Sequence, residues 1–228
     1  MLILKKVILI SFALLLPVTA TADFAVKFFP GWSYHHQDDQ IHDGATLWAI
    51  IKQGDSYILT KRKVRLKSVH SPNRDDEGKA SGRELIAPDR DDSIIHFTGI
   101  DKLKSGPIFL KEIKKPLVNT FNPKISPSSV DFEIKRKIYT VYVKLNKKND
   151  MFIYMKHGDK KQLLCVYPKA GDALSWLQWV ADIDRDNAPD ILISASGHYS
   201  YIDNRLYLSS FADPDNFVKE VGRFTNGE

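Results

Sequence analysis

The chain has 228 residues, of which 43% are hydrophobic, 27% charged and 11% aromatic, and its formal net charge is +5. This composition is typical of a globular protein and excludes a disordered or collagen-like chain. The single cysteine, Cys165, excludes an intramolecular disulfide framework.

Residues 1–22 have the pattern of a secretory signal peptide. Lys5 and Lys6 provide a positive start, residues 7–18 are an apolar run, and small residues up to Ala22 form a cleavage site. The apolar run is shorter than the ~20 residues that span a membrane as a helix. We therefore expect cleavage near Ala22 and a secreted protein, periplasmic or extracellular, with no membrane span and no disulfide-linked partner.

The charge of the remaining chain is unevenly distributed. Residues 23–170 contain 27 basic and 18 acidic side chains, whereas residues 171–228 contain 4 basic and 10 acidic side chains. Surfaces of opposite charge favour different partners. This pattern is compatible with an inhibitor or immunity-type protein that binds another secreted protein.

A polar segment at residues 34–43 contains three histidines and three aspartates. Imidazole and carboxylate groups bind zinc, and zinc with an open coordination position can activate water. A metal-dependent hydrolase that uses His35, His36 and His42 is therefore one hypothesis. The segment lacks the His-x-x-x-His spacing of a helical zinc site, and a solvated polar loop explains the same residues.

Alternating apolar and polar residues, bounded by turn residues, predict strands through most of the chain, and no stretch has a helical stripe over three turns. The first hairpin is predicted at residues 46–52 and 57–69. Basic residues occupy alternate positions from Lys61 to Lys67, so they share one face of its second strand. This face could bind a cell-surface polyanion, or it could be a solvated edge; we expect no nucleic acid, because no aromatic residue interrupts the run.

Prolines divide the chain near its middle. Residues 71–92 are predicted to form a long charged loop, followed by strands at 93–98 and 107–113. Four prolines then lie between residues 107 and 127, and proline removes donors from a strand ladder. We therefore predict a linker or crossover at 116–130.

The linker would separate an N-terminal β region, residues 23–115, from a C-terminal β domain, residues 131–228. The strands predicted in the C-terminal domain are 137–145, 151–156, 161–167, 175–181, 190–196, 205–210 and 217–224. The expected fold class is mainly β, with antiparallel meanders in a sandwich-like or partially propeller-like arrangement of one or two small domains.

An acidic loop between two apolar strands is the most informative motif. From Asp182 to Asp190, carboxylates occupy positions 1, 3, 5 and 9. Calcium binds six to eight oxygen ligands, and alternate residues of a tight loop can supply them. Asn187 tolerates the left-handed backbone that a sharp turn needs, which would free the backbone carbonyl of Ala188 to face the ion. Without a cation the carboxylates would repel one another.

At these residues the sequence resembles the calcium loops of FG-GAP and VCBS-type repeats. Their pattern is Asp-x-Asp-x-Asp-Gly-x-x-Asp between apolar strands, and the resemblance covers residues 176–208, with Asn187 in place of the usual Gly. It implies one structural Ca²⁺ ion. The implied ligands are Asp182, Asp184, Asp186, Asp190 and the carbonyl of Ala188.

Other interpretations of the acidic loop fit less well. An EF-hand needs a Glu at position 12, which is Ile193 here. A haloacid-dehalogenase-type phosphatase begins with a similar Asp-x-Asp, but has Thr or Val where this chain has Asp186. A solvated acidic turn without an ion is the third alternative. The sequence as a whole favours a non-catalytic, calcium-stabilised binding module whose partner is a protein or a cell-surface polyanion.

Overall fold

The structure, a computed structural model, describes residues 24, 26–30, 41–70, 75–80, 82–86, 93–119, 129–168, 170, 174–196 and 201–227. These residues form strands and connecting turns, without a helix. The strands are β1 (Lys27–Pro30), β2 (Thr46–Gln53), β3 (Ser56–Lys63), β4 (Arg65–Val69), β5 (Gly82–Ile86), β6 (Ser93–Thr98), β7 (Gly106–Asn119), β8 (Ser129–Ile134), β9 (Lys137–Leu145), β10 (Met151–His157), β11 (Lys160–Tyr167), β12 (Leu174–Asp182), β13 (Asp190–Ser196), β14 (Tyr201–Leu208) and β15 (Lys219–Gly227). The predicted mainly β, antiparallel fold is confirmed.

Nine strands form one antiparallel sheet in the order β1-β6-β2-β3-β7-β12-β13-β14-β15. The sheet curls into a nearly closed, barrel-like shape, because its first and last strands approach each other. At this seam the backbone N–H of Val26 donates a hydrogen bond to the carbonyl of Val221 over 3.0 Å. Strands from residues 23–115 and from residues 131–228 therefore share a single sheet.

A second, four-stranded sheet has the order β11-β10-β9-β8. Its inner face packs against β12, β13 and β14 and encloses a hydrophobic core that includes Val141, Ile153, Leu177 and Ile193. The barrel-like sheet encloses another core on its opposite face. All of β13 is buried, because one of its faces lies in each core.

The strand predicted at 57–69 is divided at Val64. The N–H of Val64 donates to the carbonyl of Ala45, and its carbonyl accepts from the N–H of Gly44, both over 2.9 Å. These bonds end β3, and β4 pairs instead with β5 in a separate two-stranded sheet. The charged loop predicted at 71–92 therefore contains β5, which the sequence pattern did not indicate.

The predicted linker at 116–130 differs from the structure at both of its ends. Strand β7 continues to Asn119 and β8 begins at Ser129, while residues 120–128 lie outside the described residues. At Pro116 only the β12 side of β7 is paired among the described strands, because β3 pairs with Gly106 to Ile108 alone, and proline is tolerated in a strand whose other edge is unpaired. A register shift at Trp176 of β12 also lies opposite Pro116.

Cys165 is buried between the two sheets, and burial raises the pKa of its thiol to about 11. The described residues contain no disulfide. They also contain no helix long and apolar enough to cross a membrane. The predicted signal peptide at 1–22 lies outside the described residues.

Candidate metal site

The acidic loop joins two neighbouring strands of the barrel-like sheet. Asp182 is the last residue of β12 and Asp190 is the first residue of β13, where it pairs with Ala181. Two residues between them have left-handed backbones, Arg185 with φ of 64° and Asn187 with φ of 66°. The sequence indicated this conformation for Asn187 but not for Arg185. The two turns fold the loop back on itself, so that its carboxylates converge.

Three of the four predicted carboxylates are close together. Oxygen atoms of Asp182, Asp184 and Asp190 all lie within 4.8 Å of one another. Asp182 and Asp190 are buried, and Asp184 is partly buried. Such a group of carboxylate oxygens suits a hard divalent cation, because calcium and magnesium prefer oxygen ligands.

The other two predicted ligands occupy different positions. Asp186 lies outside the three-carboxylate group, and its Oδ2 accepts a hydrogen bond from the hydroxyl of Ser209 over 2.9 Å. The backbone N–H of Ala188 donates to Asp186 Oδ1 over 2.8 Å. Asp186 is exposed, and it therefore forms the solvent side of the loop.

Hydrogen bonds from the backbone hold Asp190 at the base of the site. Its Oδ2 accepts from the N–H of Ile183 over 2.7 Å, and its Oδ1 accepts from the N–H of Ser209 over 3.0 Å. The hydroxyl oxygen of Ser209, which has one hydrogen to donate, lies 3.1 Å from the same Oδ1. Ser209 is a component that sequence reasoning missed. It follows β14, and the pairing of Ile191 with Tyr207 brings it to the loop. No local sequence pattern signals such a contact.

The carboxylates of Asp182 and Asp184 accept hydrogen bonds from fewer donors than the carboxylate of Asp190 does. Both carboxylate oxygens of Asp182 accept from the N–H of Asn187, over 3.3 and 3.2 Å. Asp184 Oδ1 accepts from the N–H of Asp186 over 3.3 Å, whereas Asp184 Oδ2 is buried without a hydrogen-bond partner. A buried carboxylate oxygen without a donor is unfavourable unless another group, such as a cation, contacts it.

No basic side chain neutralises these carboxylates within the described part of the chain. The single basic residue of the loop, Arg185, points away and donates to the carbonyl of Lys104 over 3.1 Å. Gly106 leaves room for it, because a Cβ atom there would lie 3.1 Å from the guanidinium. Burial, reinforced by the neighbouring acids, raises the pKa of Asp182 and raises that of Asp190 well above its usual range. A bound cation would reverse this effect.

The alternative zinc cluster is only partly described. His35 and His36 lie outside the described residues, while His42 is exposed. Asp43, in the same segment, accepts a hydrogen bond from the N–H of Leu66 over 2.9 Å, which is a structural role in the turn before β2. The hydrolase hypothesis therefore has no assembled site in the described part of the chain.

A buried ion-pair network lies between the two sheets, and the sequence did not indicate it. Asp203 Oδ2 accepts from Nη2 of Arg205 over 2.7 Å and from the hydroxyl of Tyr167 over 2.8 Å. The guanidinium lies 4.6 Å from the Tyr167 ring centroid and also contacts Glu220. Because the charges are paired internally, this network connects β11 to β14 and β15 and is a structural feature.

No known protein family, curated protein or solved structure matches this chain. The FG-GAP and VCBS resemblance of the acidic loop therefore stays a prediction. The geometry of the loop, rather than a relationship to a known protein, is the basis for a functional proposal.

Proposed function

We propose that this chain is a secreted, calcium-stabilised β protein that acts as a non-catalytic binding module. One Ca²⁺ ion is held by Asp182, Asp184 and Asp190 and stabilises the connection between β12 and β13. The observation that carries this proposal is the convergence of three carboxylates within 4.8 Å around a buried, unpartnered oxygen of Asp184. Secretion rests on the signal-like residues 1–22 of the sequence.

The charge balance supports an ion at this position. Two of the three carboxylates are buried, and no basic side chain compensates them within the described residues. A divalent cation offsets their mutual repulsion and supplies a partner for Asp184 Oδ2. Calcium suits the site because its coordination number is flexible and can include water and backbone carbonyls.

The position of the loop supports a structural role for the ion. Both ends of the loop are the ends of sheet strands, and β13 lies in both hydrophobic cores. An ion that binds the folded loop stabilises the whole protein, because the unfolded chain does not present the same ligands. The stabilisation is about 2.7 kcal/mol when free calcium is a hundredfold above Kd.

Thermal unfolding with calcium tests the proposal. Calcium added to the chelator-treated, full-length protein is expected to raise Tm by roughly 5–10 °C. Asp184→Asn keeps the shape of the side chain but removes its charge, so it is expected to abolish most of this rise. Asp186→Asn is expected to reduce the rise less, because Asp186 lies outside the three-carboxylate group.

Asp159→Asn is the matched control, since Asp159 is exposed in the turn between β10 and β11. It should retain the full response. An unchanged Tm for the wild-type protein, or the same rise in the Asp184→Asn variant, would contradict the proposal.

A further inference from the structure

The outer face of the four-stranded sheet carries aromatic and charged side chains. Along β10 the residues Met151, Ile153 and Met155 are buried in the core, so Phe152 and Tyr154 point to the opposite face. That face has no other layer of described strands packed on it, and Leu163 on β11 is 46% exposed there. An exposed face of this kind marks a candidate binding surface.

Three rings form a parallel group on this face. Tyr142 on β9 pairs with Tyr154 on β10, and their ring centroids are 5.3 Å apart with an interplanar angle of 17°. Phe152 is parallel to Tyr154 at 6.4 Å. The Nζ atom of Lys144 lies 5.8 Å from the centroid of the Tyr142 ring. We call these four residues, three with aromatic rings and one lysine, the aromatic group. Stacking of the rings on one another holds them in place before any ligand binds.

A cleft of about 510 Å³ adjoins the aromatic group. Its polar lining consists of Ser129, Asp131, Thr140, Tyr142, Lys144 and Lys156. In the described part of the chain, the side chains of Asp131 and Lys156 form no ion pair or hydrogen bond. These two groups are therefore available to a ligand. The cleft combines one aromatic ring, that of Tyr142, with hydroxyl groups, two lysines and one carboxylate.

The sheet that carries the cleft is strongly basic. Residues 129–168 contain nine Lys or Arg and four Asp or Glu, a net charge of +5. A field of this sign attracts anions and disfavours a second copy of the same face.

We propose that this cleft binds an acidic polysaccharide, which is the partner class that the binding role proposed above leaves open. The C–H face of a sugar ring packs on Tyr142, its carboxylate or sulfate pairs with Lys144 and Lys156, and its hydroxyls bond to Asp131 and Thr140. Asp131 accepts hydrogen bonds, and a polysaccharide presents several hydroxyl donors per ring, whereas a nucleic-acid backbone presents few. Tyr142 is the one aromatic ring among the residues that line the cleft, whereas single-stranded nucleic acid is bound by several aromatic rings on which successive bases stack. The geometry thus favours an acidic sugar over a single-stranded nucleic acid.

Calorimetric titration of the full-length protein tests the proposal with defined probes. The acidic probes are hexamers of galacturonate and mannuronate and a heparan sulfate hexasaccharide, and the uncharged control is the fully methyl-esterified galacturonate hexamer. We expect at least one acidic hexamer to bind, and the ester to bind at least about tenfold more weakly than its parent acid or not at all. Affinity should fall as the salt concentration rises, because the lysines are exposed.

Variants place the ligand in the cleft. The double variant Lys144→Ala/Lys156→Ala changes two exposed side chains, so it should fold normally and weaken binding at least about tenfold. Tyr142→Ala should weaken it to a similar extent. Lys111→Ala is the matched control, because Lys111 is an exposed strand lysine outside the cleft, and it should bind as the wild type does.

Three results would overturn the proposal: no binding of any acidic hexamer at millimolar concentration, equal affinity in the double lysine variant, or tighter binding of a single-stranded oligothymidylate than of every acidic hexamer. The titrations are made with and without calcium. Loss of sugar binding alone, with the calcium-dependent Tm intact, contradicts this inference and leaves the calcium proposal standing. Sugar binding without any effect of calcium on Tm supports this inference and contradicts the calcium proposal.

Discussion

At the scale of single residues, the acidic loop depends on two left-handed backbones. Arg185 and Asn187 both have φ near 65°, which most L-residues adopt only at a cost in free energy. Asn is among the residues that tolerate this conformation, and the side chain of Arg185 donates a hydrogen bond to the carbonyl of Lys104. The two residues turn the loop so that Asp182, Asp184 and Asp190 can converge.

A pair of substitutions at Asn187 tests this backbone requirement. Asn187→Val places a β-branched side chain at positive φ and is expected to lower the free energy of unfolding by about 1–2 kcal/mol. Asn187→Gly removes the Cβ atom and should change it by less than about 1 kcal/mol. Urea denaturation of both variants with calcium present measures the difference. Equal effects of the two substitutions would show that the left-handed turn is not the constraint.

At the scale of strands, the barrel-like sheet closes where β15 lies against the N-terminal segment that leads into β1. Strand β15 passes so close to the N-terminal segment that a Cβ atom on Gly222 would lie 2.7 Å from the carbonyl oxygen of Val26 and 3.0 Å from Cδ1 of Phe28. A backbone oxygen cannot move aside as a flexible side chain can. Only glycine at position 222 allows β15 and the N-terminal segment to come close enough for the hydrogen bond between Val26 and Val221.

Gly222→Ala is therefore expected to open the seam between β1 and β15. We expect the free energy of unfolding to fall by about 1–3 kcal/mol, as overpacking in a core does. Hydrogen exchange at the amide of Val26 should accelerate in the same variant. Thr225→Ala, an exposed position on the same strand, should change stability by less than about 1 kcal/mol. Unchanged exchange at Val26 would contradict the expected role of Gly222.

At the scale of the whole molecule, the two sheets depend on each other. Strands β12 to β14 supply one wall of each hydrophobic core. The ion pair of Asp203 and Arg205, together with Tyr167, adds a buried polar contact between the sheets. Neither core can lose these strands without exposing the other core.

We therefore expect a single cooperative unfolding transition. Calorimetric and van't Hoff enthalpies should agree, and near- and far-ultraviolet dichroism should change together. Leu177→Ala in one core and Ile50→Ala in the other remove fully buried side chains, and each should lower the stability of the same transition by about 2–5 kcal/mol. A separate early transition in the Leu177→Ala variant would show that the four-stranded sheet unfolds independently.

Local patterns predicted several strands well. The sequence predicted strands at 93–98, 137–145 and 190–196, and β6, β9 and β13 have those bounds. Their side chains alternate or form a short apolar run, and both signals depend on neighbouring residues only. The same reasoning failed at Pro116 and Val64, because the residues that face or bond to them, Trp176 for Pro116 and Gly44 and Ala45 for Val64, are distant in the sequence.

The sequence by itself determined that this chain is mainly β, and it determined the spacing of four aspartates between two apolar strands. The tertiary structure decided which aspartates converge, that Ser209 binds Asp190, and that Arg185 turns away from the acids. It also brought Tyr142 and Tyr154 together beside unpaired charges on an exposed sheet face. Strand propensity and spacing are local properties, whereas these contacts join residues that only sheet pairing brings within reach.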